Sequence, residues 1–160
     1  MNLQQVKKYW VEPALEFFPE PLRTPNRKQF MVAIGLVESG YNYVAQVPEA
    51  DALGFWQVQL GTYRDNILNF LEFKNEFNDG WSLIKKVHQS TYSSMTSDCV
   101  FACYMGAITV YRAPATLPEY NDIEGMAKYW KKYYNASPNG ASIDEAMERM
   151  LPVRENRFNY

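Results

Sequence analysis

The stretch Cys99-Val-Phe-Ala-Cys-Tyr-Met-Gly-Ala-Ile-Thr-Val-Tyr-Arg112 is apolar nearly all round, follows Ser97 and Asp98, and stops before Pro114 and Pro118. Ser and Asp cap helix starts, Pro ends helices, and a helix that is hydrophobic on every side is a buried one. This run therefore predicts a central helix around which the rest of the chain packs. Gly106 and Thr109 interrupt it, and it is too short and too mixed to span a bilayer. No membrane insertion is expected. Cys99 and Cys103 lie four apart, a spacing poor for a disulfide, and both read as reduced core residues.

On either side of this run, turn and cap signals cut the chain into about seven short helical segments, and no sustained period-two pattern appears. The class is mainly α. A first helix runs over Leu3–Phe17 before Pro19, Pro21 and Pro25. A second is capped by Asn26, carries Phe30, Ile34 and Val37 as its apolar stripe, and ends at Ser39-Gly40. Residues 41–61, with Pro48, Gly54 and Gly61, predict an irregular or short β-ribbon segment that forms the site. Thr62 and Asp65 open a third helix with Ile67, Phe70, Leu71 and Phe77. Asp79-Gly80 precedes a fourth with Trp81, Ile84 and His88. Asn121 or Asp122 starts a sixth, in which Trp130 falls on the Ile123, Met126 and Ala127 stripe and reads as core. Ser142 and Glu145 form a capping box for the last helix, which is expected to reach about Leu151 before Pro152, with a polar tail at 154–160.

Composition bounds the function. A chain of 160 residues, 47% of them hydrophobic, can bury one sizeable core, so a single domain over 1–160 is expected. Sixteen Lys+Arg against eighteen Asp+Glu, with no run of either sign, leaves no electrostatic footprint for nucleic acid. One His, on a turn beside Lys85 and Lys86, and two cysteines in an apolar helix offer no metal-ligand set, and that His reads as solvated. Twelve Tyr and four Trp exceed what such a core normally absorbs, so some are expected to line a cleft.

Glu38 carries the chemistry. Ile34 and Met31 precede it by four and seven residues, which places the carboxylate on an apolar face, and it lies at the carboxyl end of its helix. Burial and the negative end of the helix dipole both disfavour its charge and raise its pKa. A Glu kept protonated near neutral pH suits a general acid that protonates a leaving glycosidic oxygen.

Glu38-Ser39-Gly40, followed sixteen residues later by Gly54-Phe55-Trp56-Gln57-Val58, resembles the lysozyme-like superfamily of lytic transglycosylases and goose-type lysozymes. There a Glu-Ser pair at a helix end precedes a Gly-Leu-Met-Gln-type turn. The stretch Ala102-Cys103-Tyr104-Met105-Gly106-Ala107 is a weaker counterpart of the family's Ala-Tyr-Asn-Ala-Gly, with Met105 where the family has Asn. The later Tyr111-to-Asn135 region is similar to a phage-encoded branch. The resemblance covers roughly 30–135 and implies a lysozyme-like fold with Glu38 as acid/base. It also implies Ser39, Gln57 and Tyr104 as substrate-binding residues and peptidoglycan glycan strands as the substrate, with no cofactor. Tyr41, Tyr43, Trp56 and Tyr111 are the candidate sugar-stacking aromatics.

Hydrolysis would require a second carboxylate; Glu49, Asp51 and Asp65 are near the motif, with Asp51 the best of the three. Lytic transglycosylases, by the resemblance, manage with one Glu, and that route is favoured. The amino terminus lacks an apolar signal-peptide run, so synthesis in a host cytoplasm is expected, with action at the cell wall after lysis or from within a virion beside other phage proteins. The alternative is a catalytically inactive virion or cell-wall-binding protein of the same fold.

Overall fold

A computed structural model describes residues 1–46 and 50–155; Glu49 and most of the polar tail lie outside the described residues. The chain is mainly α, with seven helices among the described residues. Helix α1 (3–15) joins Leu3–Val6 to Glu12–Leu15 through a wide π turn at Lys7–Val11, where the Glu12 amide reaches back to the Lys7 carbonyl. Pro13 follows at once. A proline cannot donate to the preceding turn, and the widened turn accommodates it.

Helix α2 spans Pro25–Ser39. Its cap is Thr24, whose hydroxyl accepts the Arg27 amide, rather than Asn26; Pro25 then takes the first helical position, where its missing N–H is no loss. Asn26 instead donates to the Pro118 carbonyl at 3.2 Å, tying the helix start to the loop after the central helix. Gly40 closes α2 in the left-handed conformation, φ 57°, with its amide on the Leu36 carbonyl.

The described parts of the expected irregular segment, 41–46 and 50–59, are held by two isolated antiparallel bridges, Ala45 with Leu53 and Leu53 with Val58. Helix α3 (60–71) starts at Leu60, so Thr62 lies inside its first turn instead of capping it, and it ends in a π turn at Ile67–Leu71. Helix α4 is Asn78–Val87; Asp79 and Gly80 belong to its first turn. Helix α5 is Cys99–Arg112, capped as expected by Asp98, which accepts the Phe101 amide at 2.9 Å. Nine successive positions from Phe101 include eight buried residues in a row, through Ile108, and this is the centre of the core.

Helix α6 (123–134) starts at the Asp122 cap and changes from α at Ile123–Tyr129 to π at Trp130–Tyr134. Helix α7 is Ile143–Glu155, opened by the reciprocal Ser142–Glu145 capping box. It does not stop at Pro152. Buried Ala146, Met150 and Val153 hold it against α2 and α6, and that packing carries the helix past the proline. Among the described residues, no helix is long and apolar enough to cross a membrane.

Candidate functional site

The last turn of α2, the 52–59 turn, α6 and α7 enclose a cavity of about 320 Å³, with Glu38 and Gln57 on its wall. Polar groups dominate the wall: Gln46, Gln59, Thr62, Asn135, Ser137 and Arg149 all contribute. Among the described residues that line it, Glu38 is the only carboxylate.

Glu38 is half-buried. Its Oε1 accepts the Trp130 indole N–H at 2.7 Å and a longer bond from Asn135 Nδ2 at 3.4 Å. Burial raises its pKa from the ordinary 4.5 to about 7; the Trp130 and Asn135 hydrogen bonds and the charge of Arg149 oppose the rise without cancelling it. Neutral donors stabilise a carboxylate less than an ion pair would, and desolvation wins. Arg149, on the wall of the same cavity, gives a guanidinium N–H to the Val37 carbonyl at 3.1 Å.

Ser39 is part of the frame. Its hydroxyl, 3.1 Å from the Gly35 carbonyl and 2.8 Å from the Phe55 carbonyl, ties the helix end to the Gly54–Val58 turn, and it accepts the Tyr41 amide at 3.1 Å. Ser39 is buried, so it supports the site without facing the cavity. The turn itself needs Gly54, at φ 74°: a Cβ there would lie 2.7 Å from Ala102 Cβ and 3.1 Å from the Met95 carbonyl oxygen. Gln57 occupies left-handed backbone at φ 49°, an uncommon place for a non-glycine, and its amide donates to the Gly54 carbonyl at 2.8 Å. That bond fixes the Gln57 side chain on the cavity wall.

The aromatic expectations divide. Tyr43 lines the cavity and donates its hydroxyl to the Glu38 carbonyl at 2.8 Å. Trp56 does not: it is 0% exposed, its indole N–H donates to the Met31 carbonyl, and its ring has no free side for a sugar. Tyr41 is likewise core, its hydroxyl on the Val32 carbonyl and its ring against Trp10, Phe55 and Trp56. Tyr104 is fully buried and stacks on Trp81, away from the cavity wall. Tyr111 donates to Glu76 and lines a different cavity. Each of these four is thus corrected from the substrate surface to the interior or another site. Asp51 is not on the cavity wall; it accepts the Leu60 amide at 3.3 Å. Asp65 is bound to Arg112 and Asn69.

Trp130, read from its stripe as core alone, is both core and site: it is 1% exposed and still reaches Glu38. The π turn brings this about. Asn135 donates its backbone amide to the Trp130 carbonyl, five residues back, and the extra residue swings Tyr134 and Asn135 onto the cavity wall. Tyr134 donates to the Trp56 carbonyl at 2.7 Å, joining α6 to the turn.

His88 is also not simply solvated. Its Nδ1 lies 2.6 Å from Asp98 Oδ2, and its ring stands edge-on to Phe17. Cys103 is buried as expected, whereas Cys99 is half-buried and shares a surface cavity with His88. Burial, with Asp98 nearby, pushes the Cys99 thiol up to about 11, the opposite of what a nucleophile needs. Among the described residues, no group of three or more His, Cys, Asp or Glu side chains could hold a metal ion.

No protein-family model, curated protein or solved structure matches this chain.

Proposed function

We propose that this chain is a peptidoglycan-cleaving glycosidase of the lytic transglycosylase kind, of phage origin, with Glu38 as its acid/base. The observation that carries the reading is the Glu38 carboxyl at a helix end, half-buried in a polar cleft and held by Trp130 and Asn135, with its pKa raised to about 7. The Glu-Ser pair and the Gly-x-x-Gln turn support it, since Ser39 ties the helix end that carries Glu38 to the turn that puts Gln57 on the same cavity wall.

In this mechanism protonated Glu38 gives its proton to the glycosidic oxygen of the MurNAc–GlcNAc β-1,4 bond as that bond breaks. The resulting carboxylate then takes the proton of the muramyl 6-hydroxyl, whose oxygen attacks C1 and closes an anhydro ring. One carboxyl group performs both transfers. Gln57, Tyr43 and the amide side chains of the wall bind sugar hydroxyls and acetamides. Delivery to the wall follows lysis or comes with the virion.

A second reading, a wall-binding virion protein without turnover, draws on Met105, which is fully buried where the resembling family carries Asn. Incubation with purified Gram-negative murein, followed by mass spectrometry of soluble products, separates the two. Anhydromuramyl ends that vanish in Glu38→Gln support the proposal. Reducing ends would make the chain a hydrolase, and sedimentation with murein without products would favour the binding protein.

A further inference from the structure

Arg27, in the first turn of α2, is 6% exposed, and none of the ion pairs among the described residues involves it. Its Nε donates to the Leu22 carbonyl at 2.9 Å, and its guanidinium lies 5.7 Å from the ring centres of both Phe18 and Tyr111. Its Nη1 is buried and has no hydrogen-bond partner. The charges that act on it come from Tyr129 and Tyr111, and burial holds both phenols above their usual pKa, so neither supplies a negative charge near neutral pH. A buried guanidinium without a counter-charge is costly, and such groups are normally matched.

Arg27 lines a cavity of about 310 Å³ between the start of α2, the end of α5 and the 115–117 loop. Leu22, Val110, Ala115 and Leu117 give it apolar walls, and Thr116 adds a hydroxyl; the Thr24 hydroxyl is already committed to Asn26 Oδ1 and the Arg27 amide. The amino-terminal end of α2, a fifteen-residue helix, adds its positive dipole end. This cavity shares no lining residue with the Glu38 cleft.

We propose that the cavity beside Arg27 is a binding site for a small organic monocarboxylate with an apolar body. With the Nε–H given to the Leu22 carbonyl, the carboxylate is held by the terminal N–H groups of the guanidinium, and the apolar walls receive the rest of the molecule. One cation and one hydroxyl match a monoanion better than a phosphate dianion, which needs more donors. The site is independent of the glycosidase reading and stands or falls without it.

The test is titration of the full chain with isobutyrate, following by ¹⁵N NMR the backbone amides of Thr116 and Leu117, which line the cavity and are present in every variant. The site predicts a saturable shift, lost or weakened at least about tenfold in Arg27→Met, since hydrogen bonds to a charged group are involved. Ala115→Trp fills the cavity from the loop without touching the guanidinium and decides the matter if Arg27→Met does not fold; it too should abolish the shift. Absence of a saturable shift up to roughly 100 mM isobutyrate, an affinity weaker than that of small-ligand sites, overturns the proposal. So does tighter binding of inorganic phosphate, or an undiminished shift in Ala115→Trp.

Discussion

Glu38 and Asp98 are both half-buried carboxylates at helix ends, and the chain treats them in opposite ways. Asp98 stands at the amino-terminal end of α5, where its Oδ1 accepts the Phe101 amide and its Oδ2 meets His88 at 2.6 Å. A backbone donor and an imidazole thus hold it as the cap of the central helix. Glu38 stands at the carboxyl-terminal end of α2, beside the negative dipole end, with two uncharged donors on one oxygen and no cation bonded to it. A capping bond at one helix end makes a carboxylate structural; burial at the other raises its pKa to about 7 and leaves it available as an acid.

The comparison breaks most visibly at Glu38 itself. Glu38→Gln keeps the shape and the acceptor for Trp130 but removes the proton, and murein cleavage should fall by about 10²–10⁴-fold in a product-release assay. The same variant should change how stability depends on pH. Between about 4.5 and 7 the folded state binds the Glu38 proton while the unfolded chain releases it, so wild-type stability declines across that window as pH rises. Urea unfolding at several pH values should show a loss on the order of 3 kcal/mol that Glu38→Gln lacks. Asp98→Ala should destabilise at neutral pH by about 2 kcal/mol, through loss of the α5 cap and of the His88 contact. Trp130→Phe sharpens the contrast: it removes a bond that favours the charged form, so the limb of the pH–rate profile set by Glu38 should move up by roughly one pH unit.

Much of the fold was legible because helix ends carry local chemistry. Asp98, Asp122 and the Ser142–Glu145 pair cap their helices through bonds spanning three residues, which a sequence displays directly. Glu38 was legible for the same reason, from its helix position. The aromatic residues were not. Whether Tyr41 or Trp56 faces a sugar or the core depends on which distant carbonyl receives its polar edge, Val32 or Met31, and no local pattern encodes that choice. Trp130 was half legible: its stripe placed it in the core, but the π turn after it breaks the 3.6-residue period and so hid the approach of Trp130 and Asn135 to Glu38. Pro152 misled because buried Val153 holds the last turn of α7 in place.

The protonation of Glu38 can be read without substrate by ¹³C NMR of its side-chain carboxyl, assigned by difference from Glu38→Gln and followed through a pH titration. The arrangement described above predicts a midpoint at about 7. A midpoint near 4.5, the ordinary value for a solvated Glu, would mean that the cleft does not hold this carboxyl as an acid.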